Sequence, residues 1–181
     1  MKENKNEKIV MIHHEKLIDF EDNPFKVMFD EKMNELIESI KENGVLTPII
    51  VRPKDDNYEI LSGQRRVAAC RLLKEEYIPC IVKALDDNES AILLVDSNLQ
   101  RDELLFSEKA YAYKLKLDAM KCQGKRTDLT SAQVGLKSLK QSREVLADQV
   151  GESKIQISRY IRLTELVYKL LDMVDAKIMP S

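Results

Sequence analysis

Apolar residues follow two different patterns along this chain of 181 residues. Up to about residue 100, short β-branched runs alternate with stretches of helical spacing, and beyond about residue 105 only helical spacing remains. Strands are predicted at 9–17, 45–52, 58–61 and 78–82, the second and third forming a hairpin. Helices are predicted at 31–43, 64–73 and about 87–99. This order predicts a mixed α/β domain followed by an all-α domain.

Turn and capping residues give several of these elements their ends. Asp30 is the predicted N-cap of the first helix and Gly44 its left-handed stop. Pro48, which has no backbone N–H to donate, is predicted at a strand start or on an edge. In the second half of the chain, Ser107 is a predicted N-cap, and the polar, glycine-bearing stretch 123–128 is a predicted loop.

The stretch from Ile60 to Cys70 joins a strand to a helix through a turn at Ser62-Gly63. Such a turn presents free backbone N–H groups and the positive end of the helix dipole. Arg65 and Arg66 add two cations, so the stretch has what an anionic phosphate needs. Taken alone, the same pattern also fits an ordinary connection with two solvated arginines.

A second candidate site lies at 142–163, where Ser142 caps one predicted helix and Ser153 caps the next. Gly151 separates the two helices, and Ala147, four residues earlier, allows them to cross closely. This spacing predicts a helix-turn-helix, although a plain helical hairpin with a solvated basic face has similar features. The outer face of the second helix carries donors suited to phosphates and base edges, namely Ser153, Lys154, Gln156, Ser158, Arg159 and Arg162.

Charge and cysteine content favour some classes of function and argue against others. The net charge of −2 is unevenly spread, because segment 122–163 has eight Lys and Arg against four Asp and Glu. The electropositive part therefore coincides with the predicted helix-turn-helix. Three scattered cysteines and two adjacent histidines do not have the spacing of a metal site. The odd number of cysteines fits a reducing cytoplasm. No apolar run is long enough for a membrane span, and no signal peptide is evident.

Together these motifs resemble the ParB partition-protein family, over about residue 20 to the end. The stretches that carry the resemblance are Asn23-Pro24, 29–49, 62–69, Ser97-Asn98-Leu99-Gln100-Arg101 and 142–163. The resemblance implies a ParB/sulfiredoxin-like nucleotide-binding domain at 21–104, after a tail and first strand at 1–20. A helical DNA-binding domain follows at 105–181. The family's C-terminal dimerisation region has no counterpart here, which suggests a truncated chain.

The resemblance also implies a ligand, CTP with Mg²⁺, and residues that bind it. The family's arginine-rich motif holds the triphosphate of CTP, and its second motif usually reads Glu-Asn-Leu-Gln-Arg. Ser97 replaces the glutamate tied to hydrolysis and Gln64 replaces a glutamate of the first motif. Binding is therefore expected without efficient hydrolysis, so that any CTPase activity is weak. The implied nucleotide-binding residues are Gly44, Thr47, Ser62, Gly63, Gln64, Arg65, Arg66, Asn98 and Arg101.

The function implied is plasmid or chromosome partition by a homodimer that binds a palindromic DNA site, with a ParA-type ATPase as partner. Such a protein is expected in the cytoplasm, associated with nucleoid or plasmid. A transcriptional regulator of a mobile element using the same helix-turn-helix fits the sequence almost equally well. An enzyme of the same scaffold, either sulfiredoxin-like or a small-molecule kinase, would need a reactive cysteine or a carboxylate base. Cys70 and Ser97 do not meet these needs.

Overall fold

The structure is a computed structural model that describes residues 8–101, 104–127 and 133–176. Contacts divide the chain into two compact units, Met1–Asp86 and Asp87–Ser181. Of the tail and first strand predicted at 1–20, residues 1–7 lie outside the described residues. The division falls before the helix Asp87–Asn98, which packs on the next helix, Phe106–Thr127. The domain boundary between residues 104 and 105 stays a prediction.

The first unit contains a five-stranded mixed sheet. Its strands and helices are β1 Ile9–His13, β2 Leu17–Asp19, α1 Glu31–Asn43, β3 Ile49–Lys54, β4 Asn57–Ser62, α2 Gln64–Leu72 and β5 Tyr77–Val82. The strand order is β1-β5-β3-β4-β2. β3 pairs antiparallel with β4 and parallel with β5, β2 runs parallel to β4, and β1 runs antiparallel to β5. The predicted mixed α/β fold of this unit is confirmed.

Two details of the predicted strands are corrected by the structure. The strand expected at 9–17 is broken by a single 3-10 turn at His14–Lys16, which sends the chain from one edge of the sheet to the other. The hairpin turn is also tighter than the predicted 53–57, because Pro53 pairs with Tyr58 within the ladder. Asp55 takes the positive φ of +50° that this two-residue turn requires.

One face of the sheet carries the core of the first unit. Alternate residues of β3, Ile49 and Val51, are fully buried, as a period of two requires. α1 contributes Met33 and Ile40, and α2 contributes Val67, Ala69 and Cys70. Full burial of each Val, Ile or Met side chain in this set stabilises the fold by about 1.5–3 kcal/mol. This packing fixes the start of α2 against the start of β3.

All elements of the second unit that the structure describes are helices. They are α3 Asp87–Asn98, α4 Phe106–Thr127, α5 Gln133–Val150, α6 Lys154–Leu163 and α7 Tyr168–Asp175. The core of this unit lies between α4, α5 and α6 and comprises Ala110, Tyr113, Leu117, Leu146, Ala147, Ile157 and Tyr160. Among the residues described, no helix is both long and apolar enough to cross a bilayer.

Three predicted helix boundaries in this unit were wrong. Ser107 is not an N-cap, since α4 starts at Phe106 and Ser107 instead donates to the Asp175 carboxylate through its hydroxyl and its backbone N–H. Residues 123–127 continue α4, whereas Asp128 lies outside the described residues. Ser142 is a buried residue inside α5, which begins at Gln133. In each case a local capping or breaking preference was overridden by helix continuation and packing.

Candidate functional sites

The turn between β4 and α2 is the first candidate site. Gly63 is the N-cap of α2, with φ +106° and ψ 24°, and no side chain caps the helix start. A Cβ at this position would lie 2.7 Å from Ile49 Cδ1, so close packing as well as φ requires glycine. The first-turn amides of α2 have no acceptor within the helix, and they point outward from its positive end. The local geometry is therefore that of an anion site.

Arg66 ties this turn to the loop before β3. Its Nη1 donates to the carbonyl oxygen of Thr47 and, at 3.0 Å, to that of Pro48. Its guanidinium also folds back over the turn, about 3.1 Å from where a Cβ of Gly63 would lie. Burial lowers the pKa of Arg66. The structure thus brings three of the predicted nucleotide-binding residues, Thr47, Gly63 and Arg66, into one place.

Arg65 is held by a residue that the sequence indicated only as a helix cap. Its Nη2 donates to Asp30 Oδ1 at 2.7 Å, and the same oxygen accepts the Met33 amide at 2.9 Å. Burial raises the pKa of Asp30, but the Met33 hydrogen bond and the Arg65 charge outweigh it, so that the pKa is lowered overall. Asp30 and Arg65 are 35 residues apart, and no pattern in the sequence indicated that they would meet.

Three further predicted nucleotide-binding residues have distinct positions in the first unit. Gln64 is buried and its Nε2 is 3.4 Å from the Ile60 carbonyl oxygen, so its amide points toward β4. Ser62 is the half-buried last residue of β4. Gly44 ends α1 with the positive φ expected of it, +70°, but its ψ of −170° is not that of a left-handed helical residue. Of these three, only Gly44 is exposed.

Asn98 and Arg101 belong to the second unit. Asn98 is buried, and its Nδ2 donates to the Leu94 carbonyl oxygen at 2.9 Å within α3. Arg101 lines a cavity of about 480 Å³ together with Tyr113 and Lys116. Lys116 is almost fully buried, and its ammonium group bonds to the Asp96 carboxylate and to the amide oxygen of Gln149.

Two cysteines of the first unit lie in its core. Cys70 and Cys80 are buried, and burial raises the pKa of both thiols, that of Cys80 to about 12. Burial therefore favours the protonated thiol over the thiolate at Cys70. Among the described residues, no group of three or more His, Cys, Asp or Glu side chains could hold a metal ion.

The second candidate site is the outer face of α6. Ser153 caps this helix by accepting the Gln156 amide at 3.1 Å, as predicted. Gly151 precedes it with φ +68°, and the Glu152 amide donates to the Ala147 carbonyl oxygen, which closes the turn after α5. The inner face of α6 packs on α4 and α5 through Ile157 and Tyr160. The opposite face is consequently turned away from the core.

The exposed face of α6 contains most of the predicted DNA-binding residues. Ser153, Lys154, Arg159 and Arg162 are exposed, whereas Gln156 and Ser158 are half-buried. Lys154 forms an ion pair with Glu144 of α5, and the Ser158 hydroxyl donates to the Lys154 carbonyl oxygen at 2.9 Å.

Sequence reasoning missed Ile155, which is 68% exposed on this face although it is strongly apolar. The sequence did contain an indication, because Ile155 does not fall on the helix face that carries the buried residues Ile157 and Tyr160. Apolar contacts with thymine methyl groups are one use of such a side chain at a duplex.

Comparison with known proteins places these features in a family. The sequence profile of the ParB N-terminal domain matches residues 1–99. The probable chromosome-partitioning protein ParB of Rickettsia felis is 32% identical over 174 residues, which are 96% of this chain and 53% of the relative. The nucleoid occlusion protein of Listeria innocua is 38% identical over 144 residues, which are 79% of this chain and 44% of the relative. The chain thus spans about half the length of these curated relatives.

Similarity to solved structures supports the same fold. The C-terminally truncated ParB from Caulobacter crescentus, complexed to the centromeric parS site, has a TM-score of 0.56 and 24% sequence identity. The similarity covers 94% of this chain and 80% of that one. Because the family profile matches more than half of the sequence, the chain belongs to the ParB N-terminal domain family.

Proposed function

We propose that this chain is the nucleotide- and DNA-binding part of a ParB-type protein for chromosome or plasmid partition. In this proposal the turn at Gly63 in the first unit binds CTP, and α5 and α6 of the second unit act as a helix-turn-helix on a palindromic DNA site. The observation that carries the proposal is the outer face of α6, where Lys154, Arg159 and Arg162 are exposed on a helix without a carboxylate. The chromosome-partitioning relatives and the parS-bound ParB agree with this function.

The chemistry of α6 suits a major groove better than a protein surface. Three cations and three hydroxyl or amide groups lie along ten residues, so phosphates and base edges can both find donors. Ser153, Lys154 and Gln156 lie at the N-terminal end, which usually contacts base edges first in a recognition helix. We assign phosphate contacts to Arg159 and Arg162, which are farther along the helix.

DNA binding is tested by selecting from a pool of random duplexes of about 30 base pairs and measuring affinity for the selected sequence at several salt concentrations. Enrichment of an inverted repeat is expected, with log K falling linearly as log salt rises. Arg159→Ala together with Arg162→Ala should reduce affinity and flatten the slope by about two phosphate contacts per protomer. Lys114→Ala, which removes an exposed cation of α4, is the matched control. Equal losses in the control and the test variant would refute the assignment to α6.

The proposed nucleotide site rests on the α2 turn. Backbone amides at an uncapped helix start, Arg65 and Arg66 give a triphosphate both hydrogen-bond donors and positive charge. CTP is the nucleotide that the family resemblance implies, with Mg²⁺ accompanying the phosphates. The Ser97 hydroxyl donates to the Leu94 carbonyl oxygen at 3.0 Å, and it cannot replace a carboxylate as a base. We therefore propose binding with little hydrolysis.

Thermal unfolding with each nucleoside triphosphate tests the site. CTP should raise the melting temperature more than ATP or GTP do, because a ligand stabilises the folded state by RT ln(1 + [L]/Kd). Arg65→Ala should lose that rise, whereas Lys41→Ala, on the exposed surface of α1, should keep it. No rise with CTP in the wild-type chain would exclude the nucleotide site and leave the DNA proposal standing. A homodimer and a ParA-type ATPase partner remain parts of the proposal that need separate tests.

A further inference from the structure

The ion pair between Arg65 and Asp30 occupies a donor that the proposed nucleotide site needs. Arg65 Nη2 lies 2.7 Å from Asp30 Oδ1. A phosphate oxygen that binds Arg65 would compete with this carboxylate for the same guanidinium. Binding at this site is then an exchange of one anion for another, and its free energy is the difference between the two interactions.

Asp30 cannot readily move away from the site. It is the N-cap of α1, and its Oδ1 accepts the Met33 amide at 2.9 Å. Leaving that position would cost α1 its cap. The side chains of Arg65 and Asp30 are only 24% and 39% exposed, so solvent screens the pair incompletely. A phosphate at Arg65 would therefore encounter a fixed carboxylate within the same small space.

We propose that Asp30 is an affinity- and specificity-determining residue of the nucleotide site, because it competes with phosphate for Arg65. This inference rests on the proposed CTP site. As a consequence, a ligand with several phosphate groups draws the Arg65 guanidinium away from Asp30, whereas a monophosphate does so poorly. Asp30 thus has two roles in this proposal: it caps α1, and it influences which ligands bind at the start of α2.

The variant Asp30→Asn separates the two roles of this residue. Asparagine caps a helix about as well as aspartate, so α1 is retained while the negative charge is lost. Glu31→Gln is the matched control, since it removes the adjacent carboxylate in the first turn of α1. Circular dichroism establishes that each variant is folded. Calorimetric titration of the 181-residue chain with CTP, CMP and inorganic tripolyphosphate then gives the affinities.

Asp30→Asn is expected to bind CTP and tripolyphosphate about two- to fivefold more tightly than the wild-type chain, the range for removing one partly exposed ion pair. The preference for CTP over CMP should fall, and Glu31→Gln should match the wild type. Binding by Asp30→Asn alone would also support the inference. Unchanged or weaker binding by Asp30→Asn, an equal gain in Glu31→Gln, or a gain with CTP but not tripolyphosphate would overturn it. If neither the wild type nor Asp30→Asn binds CTP, the proposed nucleotide site itself is refuted.

Discussion

Replacement of Gly63 by alanine tests whether the turn before α2 is as tightly constrained as its geometry indicates. At φ +106° an L-residue is strained, and the new methyl group would lie 2.7 Å from Ile49 Cδ1. Strain of this kind costs about 1–2 kcal/mol. Ile49 is fully buried in the sheet core and cannot move freely, so overpacking adds about 1–3 kcal/mol. The variant is expected to lose about 2–5 kcal/mol of unfolding free energy.

Urea denaturation of three further variants separates the two causes. Gly151→Ala also replaces a glycine of positive φ, here +68°, but no atom lies within 4 Å of the added carbon, so only the strain of about 1–2 kcal/mol is expected. Ile49→Val removes the clashing Cδ1, and in this background Gly63→Ala should cost less than in the wild type. If Gly63→Ala is no more destabilising than Gly151→Ala, or if Ile49→Val does not reduce its cost, the packing argument is refuted.

Three other outcomes are expected from the structure. In urea denaturation, Lys116→Met should change the unfolding free energy by less than about 1 kcal/mol. Asp96→Ala should cost about 1–2 kcal/mol, because it leaves the buried ammonium group of Lys116 without its carboxylate. A larger loss in Lys116→Met than in Asp96→Ala would contradict this account. Ser153→Ala should cost about 1 kcal/mol, and Ser153→Asn should restore it. Because the pKa of Asp30 is lowered below its usual 3.8, its contribution to stability is complete above that pH and is lost as the pH falls through the folded pKa; Asp30→Asn should lack this acid-side loss in pH-dependent unfolding.

Local signals were sufficient where the decisive interaction lies within a few residues. Asp30 and Ser153 accept amides three residues ahead, and both were predicted as caps. The β-branched run at 45–52 and the short link to the next strand predicted the hairpin, in which β3 pairs with β4. The start of α2 followed from Ser62-Gly63, because a positive φ and an uncapped helix start depend on adjacent residues.

The features of the fold and sites that the sequence did not predict depend on long-range packing, which the spacing of residue types along the chain does not show. Serine is a common helix N-cap, but Ser142 is buried within α5 and the helix continues through it. The pairing of β1 with β5 and the ion pair between Asp30 and Arg65 both join residues that are far apart in the sequence. Ile155 was passed over because apolar residues were assigned to the core, although this one is exposed.

The charge distribution of the two candidate sites has a common feature. Arg65 pairs with Asp30 in the first unit, and Lys154 pairs with Glu144 in the second. In both places a cation aimed at a proposed anionic ligand already has a carboxylate partner, so ligand binding exchanges partners and gains less than a free cation would provide. Net charge is consequently a poor guide to this chain, since −2 overall conceals two basic sites. At the two proposed sites we therefore expect each carboxylate to lower the affinity for a polyanion, so that a ligand with several phosphates in the correct geometry binds best.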